Sequence, residues 1–279
     1  MPDYDNAPHL ARWGLVPDGV PIVTHSSHLL PVRHHGAPAM LKLPEAPDER
    51  LGYLPLEYWA GEGAARLLAR SPTGDAMLLE RATGRRSLSA MARSSADADD
   101  EATAILCEAI AGLHKPRGPA PAGLIPLETW FADLFPMAAQ RGGILARAAA
   151  AATELLPAQR EIVPLHADIH HENVLDFEAR GWLAIDPKSV IGDRAFEYTI
   201  LFCDPDLSDP DPPVAIAPGR FERRLEIVLE KSGLERRRLL SWLLAWCGLS
   251  AAWFLGDDDP LAEINLAVAE KAAALLDET

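Results

Sequence analysis

The residues with the clearest chemical content lie in one short stretch, His166-Ala167-Asp168-Ile169-His170-His171-Glu172-Asn173, followed further on by Asp186. Two compact apolar runs, 162–165 and 182–185, lead into these polar clusters and read as strands. Strands that end on neighbouring loops would bring a carboxylate, an amide and a second carboxylate to one cleft, the set that phosphoryl transfer requires. In that chemistry Asp168 is the base that accepts a proton from the acceptor hydroxyl, and the hard oxygens of Asn173 and Asp186 suit Mg²⁺ carried by ATP.

Transfer also needs a cation on the nucleotide phosphates. Lys42 sits alone in the apolar run 39–43, where a lysine is rarely found without a partner. Glu57, near the start of an expected helix, is the best candidate for its ion pair, with Glu45 and Glu49 as weaker rivals. Adenine is expected beside 78–82, on main-chain groups around Leu79, Glu80 and Ala82.

The elements that must position these groups follow from pattern. Extended runs at 27–32 and 38–43 flank His34-His35-Gly36, which predicts a hairpin. Residues 57–70 suit a helix interrupted by Gly61 and Gly63, and Met77-Leu78-Leu79, between Gly74-Asp75 and Gly84, reads as a buried strand. From Asp97 the period turns helical, with Ile105, Leu106, Ala109, Ile110 and Leu113 on one face. Further helices are expected over 127–135, 142–156, 194–203, 221–233, 235–255 and 260–277. The change in character places a domain boundary near residue 83, giving a nucleotide-binding part over 1–82 and a catalytic, substrate-binding part over 83–279.

Other residues have plainer readings. Asp193, before Arg194-Ala195-Phe196-Glu197, reads as a helix N-cap. His166 reads as a structural residue that pins the loop. Lys188 could meet a phosphate or a carboxylate. The Asp-rich runs 204–211 and 257–259 read as solvated loops, and Gly61-Glu62-Gly63 lacks the strand and the third glycine of a dinucleotide fingerprint.

The segments 165–175, Ile185-Asp186-Pro187-Lys188 and Ile191-Gly192-Asp193 resemble the streptomycin and hydroxyurea kinase branch of the aminoglycoside phosphotransferases. Ala39-Met40-Leu41-Lys42-Leu43, the stretch 57–68 and Leu78-Leu79-Glu80-Arg81 agree with it, in the family's order, over about residues 20–255, and the resemblance implies that the part after Gly63 is the start of a strand. The H-x-D-x-x-x-x-N spacing is also that of the protein-kinase catalytic loop. The resemblance implies an α+β fold of two protein-kinase-like lobes, a small β-rich one and a larger, mainly helical one. It implies ATP-dependent phosphorylation of a hydroxyl on an aminoglycoside-like or hydroxyurea-like acceptor, and a role in antibiotic resistance. Two departures stand out: Ala167 replaces the family's usual glycine, and Ser26 and Ser27 stand where protein kinases carry a Gly-rich loop, which this family lacks too.

Two other classes compete. A metal-dependent hydrolase would use His166, Asp168, His170 and His171 as a cluster, although no histidine follows His171 to complete it. A catalytically silent pseudokinase would bind nucleotide without turnover. Composition narrows the partners: a formal charge of −15 opposes nucleic acid and is compatible with a cationic small molecule. Three well-separated cysteines, a polar start over 1–10 and the lack of an uninterrupted apolar stretch of spanning length lead to the expectation of a cytoplasmic protein that is neither secreted nor in a membrane.

Overall fold

The structure, a computed structural model, describes residues 6–24, 26–45 and 49–278. Met1–Asp5, part of the polar start considered above, lie outside them.

The first part of the chain forms an antiparallel sheet with Ser27–His34 and Ala37–Pro44 at its centre. Met77–Glu80 and then Leu67–Arg70 continue it on one side, and the short Val16–Pro17 and Ile22–Val23 pair with Ser27–His34 on the other. The expected hairpin is present. Its two connecting residues, His35 and Gly36, both have positive φ, the backbone of a type I′ turn. Alternation along Ala37–Pro44 sends Ala39 and Leu41 into a small apolar core with Leu30, Val32 and Leu78, and turns Lys42 to the opposite face.

The helix expected over 57–70 is instead Tyr53–Trp59, closed by a left-handed Ala60, after which Gly61 and Gly63 take positive φ. The chain then enters the sheet at Leu67–Arg70, the strand after Gly63 that the family resemblance implied. The helical part begins with Leu88–Ser94, which the sequence pattern did not reveal, and Ala96–Leu113. Ser87 and Ser95 cap them by accepting from Ala90 N and Ala98 N at 3.2 and 3.1 Å. Leu106, Ala109, Ile110 and Leu113 are buried as expected. The later helices are Leu127–Trp130, Leu134–Arg141, Gly143–Leu155, Arg194–Glu197, Arg220–Ser232, Arg236–Gly256 and Ala262–Asp277.

Arg236–Gly256 corrects the expectation that no apolar stretch reaches spanning length, since by length and composition alone it does. Its burial gives the reason for its apolarity: most of it lies inside the protein, crossing Gly143–Leu155 so closely that a Cβ on Gly248 would meet Ala148 Cβ at 2.2 Å. It is the central helix of the core.

Two small β units position the functional loops. Ile162–Leu165 pairs antiparallel with Val190–Asp193, and Val174–Asp176 pairs antiparallel with Trp182–Ala184. Residues 166–173 and 185–189 are thereby the two loops that connect one unit to the other. The sheet part is tied to this frame at Gly63, whose carbonyl accepts from Ala184 N at 2.9 Å, while Ala65 N donates to Ala184 O at 2.9 Å. A Cβ on Gly63 would lie 2.9 Å from Gly112 C and 3.0 Å from Leu113 N, both backbone atoms, and Gly63 has φ +80. The packing against Ala96–Leu113 therefore requires a glycine here. Gly63→Ala is expected to destabilise the protein by roughly 2–4 kcal/mol from left-handed strain and overpacking together, read as a lower urea midpoint with an unchanged m-value.

Candidate active site

The loop after Ile162–Leu165 is held by its backbone. Glu197, on the short helix Arg194–Glu197, accepts from His166 N at 2.6 Å and Ala167 N at 2.8 Å, and its carboxylate also meets His114 Nε2 at 3.3 Å. This carboxylate is fully buried. Burial opposes its ionisation, but the hydrogen bond and charge of His114 and the loop amides hold it below the usual carboxylate range. Ala167 takes φ 60, the conformation for which glycine is the ordinary residue, so the alanine fits at some local cost. His166 is buried and held neutral by that burial, and its Nε2–H donates to Ile185 O at 2.6 Å. It pins the two functional loops to each other, as expected.

Asn173 joins the two reactive ends of its loop. Its Nδ2 donates to Asp168 O at 2.8 Å and to Asp168 Oδ2 at 3.3 Å, and its carbonyl accepts from Ile185 N at 2.9 Å, which places it beside Asp186. With the amide NH₂ committed to Asp168, Oδ1 is the donor atom that Asn173 has left for a cation. An amide oxygen and the Asp186 carboxylate are the hard donors that Mg²⁺ accepts alongside phosphate oxygens and water.

Lys42 reaches this cleft from the sheet. Its ammonium contacts Asp186 Oδ1, and it donates to Glu49 Oε2 at 2.5 Å, with the Lys42 and Glu49 side chains 5% and 1% exposed. Lys188 contacts Glu49 Oε1 and lies 3.6 Å from Asp168 Oδ2. The pairing with Glu57 is therefore corrected. Glu57 is exposed on Tyr53–Trp59 and holds Arg70 at 2.7 Å, whereas Glu49, the weaker rival, lies buried on the one-turn helix Glu49–Leu51. Ser27, which stands where protein kinases carry a Gly-rich loop, donates to Glu49 Oε2 at 3.3 Å. Burial disfavours the charge on Glu49, but the ammoniums of Lys42 and Lys188 hold its pKa down to about 2. Burial likewise opposes the charge on Lys188, and the carboxylates of Asp168, Glu49 and Asp186 hold it above the ordinary lysine value.

His170 stands between two carboxylates, 3.9 Å from Asp168 Oδ1 and 3.7 Å from Asp204 Oδ1. Burial works against its protonation, and Asp204 and Asp168 raise its pKa in spite of that. Asp204, pushed up to about 6 by burial, corrects the reading of 204–211 as wholly solvated. Asp206 is buried too, accepting from Val214 N and Ala215 N at 2.9 Å each, and Arg224 ties this loop to Ala96–Leu113 through Asp99. The hydrolase cluster does not form. His166 faces a carbonyl, the ring nitrogens of His171 are buried without a hydrogen-bond partner, and among the described residues no three His, Cys, Asp or Glu side chains converge to hold a metal. Asp193 caps Arg194–Glu197 through Ala195 N at 2.9 Å, as its sequence position implied.

The expected hinge lies at the end of Met77–Glu80. Leu79 is buried in the main core, and Glu80 N donates to Arg66 O at 2.9 Å while its carboxylate meets Arg180. Ala82 follows on an irregular connector and, like Leu175 and Ile185, packs against the small cluster of Ala65, Phe177 and Leu183.

The chain matches the model of the family described as aminoglycoside/hydroxyurea antibiotic resistance kinase over residues 12–258. It belongs to this family. Among its relatives are a streptomycin 3''-kinase of Klebsiella pneumoniae, 52% identical over 96% of this chain and 100% of the relative, and a hydroxyurea phosphotransferase of Kitasatospora aureofaciens, 34% identical over 95% and 76%. The amicoumacin kinase hAmiN superposes with a TM-score of 0.67 at 14% identity, over 96% of this chain and 94% of that structure, which shows the fold to be the two-lobed kinase-like one. Glu197 and Asp204 are what the structure of this antibiotic resistance kinase adds to the residues foreseen from sequence, and Glu49, foreseen only as a weaker rival, takes the place given to Glu57.

Removing the shared carboxylate leaves two ammoniums facing each other in a buried site. Glu49→Gln should destabilise the protein by roughly 3–5 kcal/mol near neutral pH. Because its pKa is depressed in the folded state, Glu49 contributes this stability above its ordinary value of 4.5 and loses it as the pH falls towards about 2. Urea unfolding from pH 7 to 2 should therefore show the gap between wild type and variant constant above about pH 5 and closing below it.

Proposed function

We propose that this kinase transfers the γ-phosphate of ATP to a hydroxyl of a streptomycin-like aminoglycoside, with Asp168 as general base. The observation that carries this reading is the meeting, at one cleft, of Asp168, Asn173 and Asp186 from paired loops with Lys42 from the sheet. The family and the 52% identity to a streptomycin 3''-kinase support the choice of acceptor.

Lys42 binds the nucleotide phosphates, and Asn173 and Asp186 hold Mg²⁺. The metal, when bound, neutralises charge that develops on the phosphate oxygens. Asp168, oriented by Asn173, takes the acceptor's proton as its oxygen bonds to phosphorus and the bond to the ADP oxygen breaks. Lys188, beside Asp168, is placed to stabilise the equatorial oxygens of the group in flight. Main-chain groups around Leu79, Glu80 and Ala82 receive adenine, with residues 1–82 as the nucleotide lobe and 83–279 as the lobe that binds acceptor and metal. Such a reaction draws on the ATP of the cytoplasm and confers resistance by modifying the drug there.

Two sets of variants test these roles, with phosphorylated streptomycin followed by mass spectrometry. Asp168→Asn should lower kcat by roughly 10²–10⁴ while ATP affinity stays close to wild type. Turnover at the wild-type rate would remove Asp168 from the mechanism. Asn173→Ala and Asp186→Ala should each raise the Mg²⁺ concentration needed for half-maximal rate, and an unchanged metal dependence in both would refute the metal assignment.

A further inference from the structure

A cavity of about 470 Å³ lies beside the candidate base. Trp130, Trp246 and Trp253 wall it together with Asp133, Asp168 and Lys188. A second cavity of about 570 Å³ shares Asp133 and Trp253 with the first and extends to Asp257. Of these groups, only Asp168 and Lys188 take part in the proposed phosphoryl transfer.

The aromatic wall is preassembled. Trp246 and Trp253 are two turns apart on Arg236–Gly256 and so share a face, with ring centroids 5.7 Å apart at 73°. Trp130, at the end of Leu127–Trp130, meets Trp253 edge-on at 5.5 Å and 80°, and Phe196 backs Trp246 at 5.7 Å and 89°. Trp253 Nε1 donates to Asp133 Oδ2 at 3.0 Å, which fixes that carboxylate and leaves its Oδ1 for another donor. The indole N–H groups of Trp130 and Trp246 are buried without a hydrogen-bond partner.

These features select a particular chemistry. Indole faces favour a cation, and Lys188 is the only cationic side chain among the residues that line the two cavities, against Asp133, Asp168 and Asp257. A guanidinium suits the site better than an ammonium. It is planar, weakly hydrated, able to stack on an indole and to donate sideways to a carboxylate at the same time.

Resting on the phosphotransfer reading, we propose that Trp130, Trp253 and Asp133 form a guanidinium-binding subsite that holds a hydroxylated ring with one hydroxyl towards Asp168. The second cavity, ending at Asp257, takes a further ring of the same polycation. These residues are specificity determinants and take no part in the chemical step.

The test uses full-length enzyme with streptomycin, which bears guanidinium groups, and hydroxyurea, which is uncharged at neutral pH. Calorimetry measures streptomycin binding in the presence of AMP-PNP and Mg²⁺, and initial rates give KM, kcat and the slow ATP hydrolysis without acceptor. Trp253→Leu should weaken streptomycin binding by about tenfold or more, Trp253→Phe by much less because an aromatic face remains, and Asp133→Asn by several-fold with the loss fading at high salt. Acceptor-free hydrolysis, KM for ATP and any activity on hydroxyurea should stay within about twofold. Circular dichroism confirms that each variant is folded. Wild-type streptomycin affinity in Trp253→Leu and Asp133→Asn would overturn the subsite. Streptomycin that binds in this pattern but is never phosphorylated would leave the subsite standing and sink the phosphotransfer reading instead.

Discussion

The constraint on which the site depends is the burial of the Glu49 carboxylate between two ammoniums drawn from opposite sides of the molecule. An unpaired carboxylate in that position would cost several kcal/mol, so it can be charged only where Lys42 arrives from the sheet and Lys188 from the loop after Trp182–Ala184. The same two lysines then meet Asp186 and Asp168, which makes one connected chain of charges out of parts far apart in sequence. Each member satisfies the next. The position of the sheet relative to the catalytic loop is thus coupled to the protonation of a single group.

A second set of contacts fixes the loop from behind. Glu197 spends its carboxylate on two consecutive backbone amides, and His166 spends its imidazole on the carbonyl before Asp186. Neither group is placed to touch a substrate in this arrangement. Both limit the angular freedom of Asp168 and Asp186, the freedom that the proposed base and the proposed metal ligand would have to give up before reaction. Arg224, buried against Asp99 and the carbonyls of Leu201 and Asp204, performs the same service for the segment that presents Asp204 to His170.

The legible parts of the sequence were those set by local pattern or local spacing. The hairpin showed in its His35-Gly36 turn, the helix Ala96–Leu113 in its apolar face, and the loop with Asp168 and Asn173 in a spacing that both ends of one short segment must keep. Glu49 was harder to rank because its partner choice is decided by tertiary placement. Glu57, on a regular helix, had the better local context, and the packing of Tyr53–Trp59 turned it outward to Arg70. Asp204 and Asp206 sit in a run that composition marks as solvated, and only the buried Arg224 and the amides of Val214 and Ala215 make their burial tolerable. The tryptophan wall was invisible for a related reason: Trp130 and Trp253 are remote in sequence, and aromatics on a core helix usually mean only packing.

The central claim is that the charge chain centred on Lys42 and Glu49 is where nucleotide phosphates bind, and thermal unfolding with and without Mg²⁺ and AMP-PNP tests it most directly. At a nucleotide concentration about a hundred times its dissociation constant, mass action should raise the wild-type midpoint by roughly 5 °C or more. Lys42→Met, folded by circular dichroism, should lose most of that rise at the same concentration. A shift in the variant equal to that of the wild type would show that the phosphates bind elsewhere and would contradict the account.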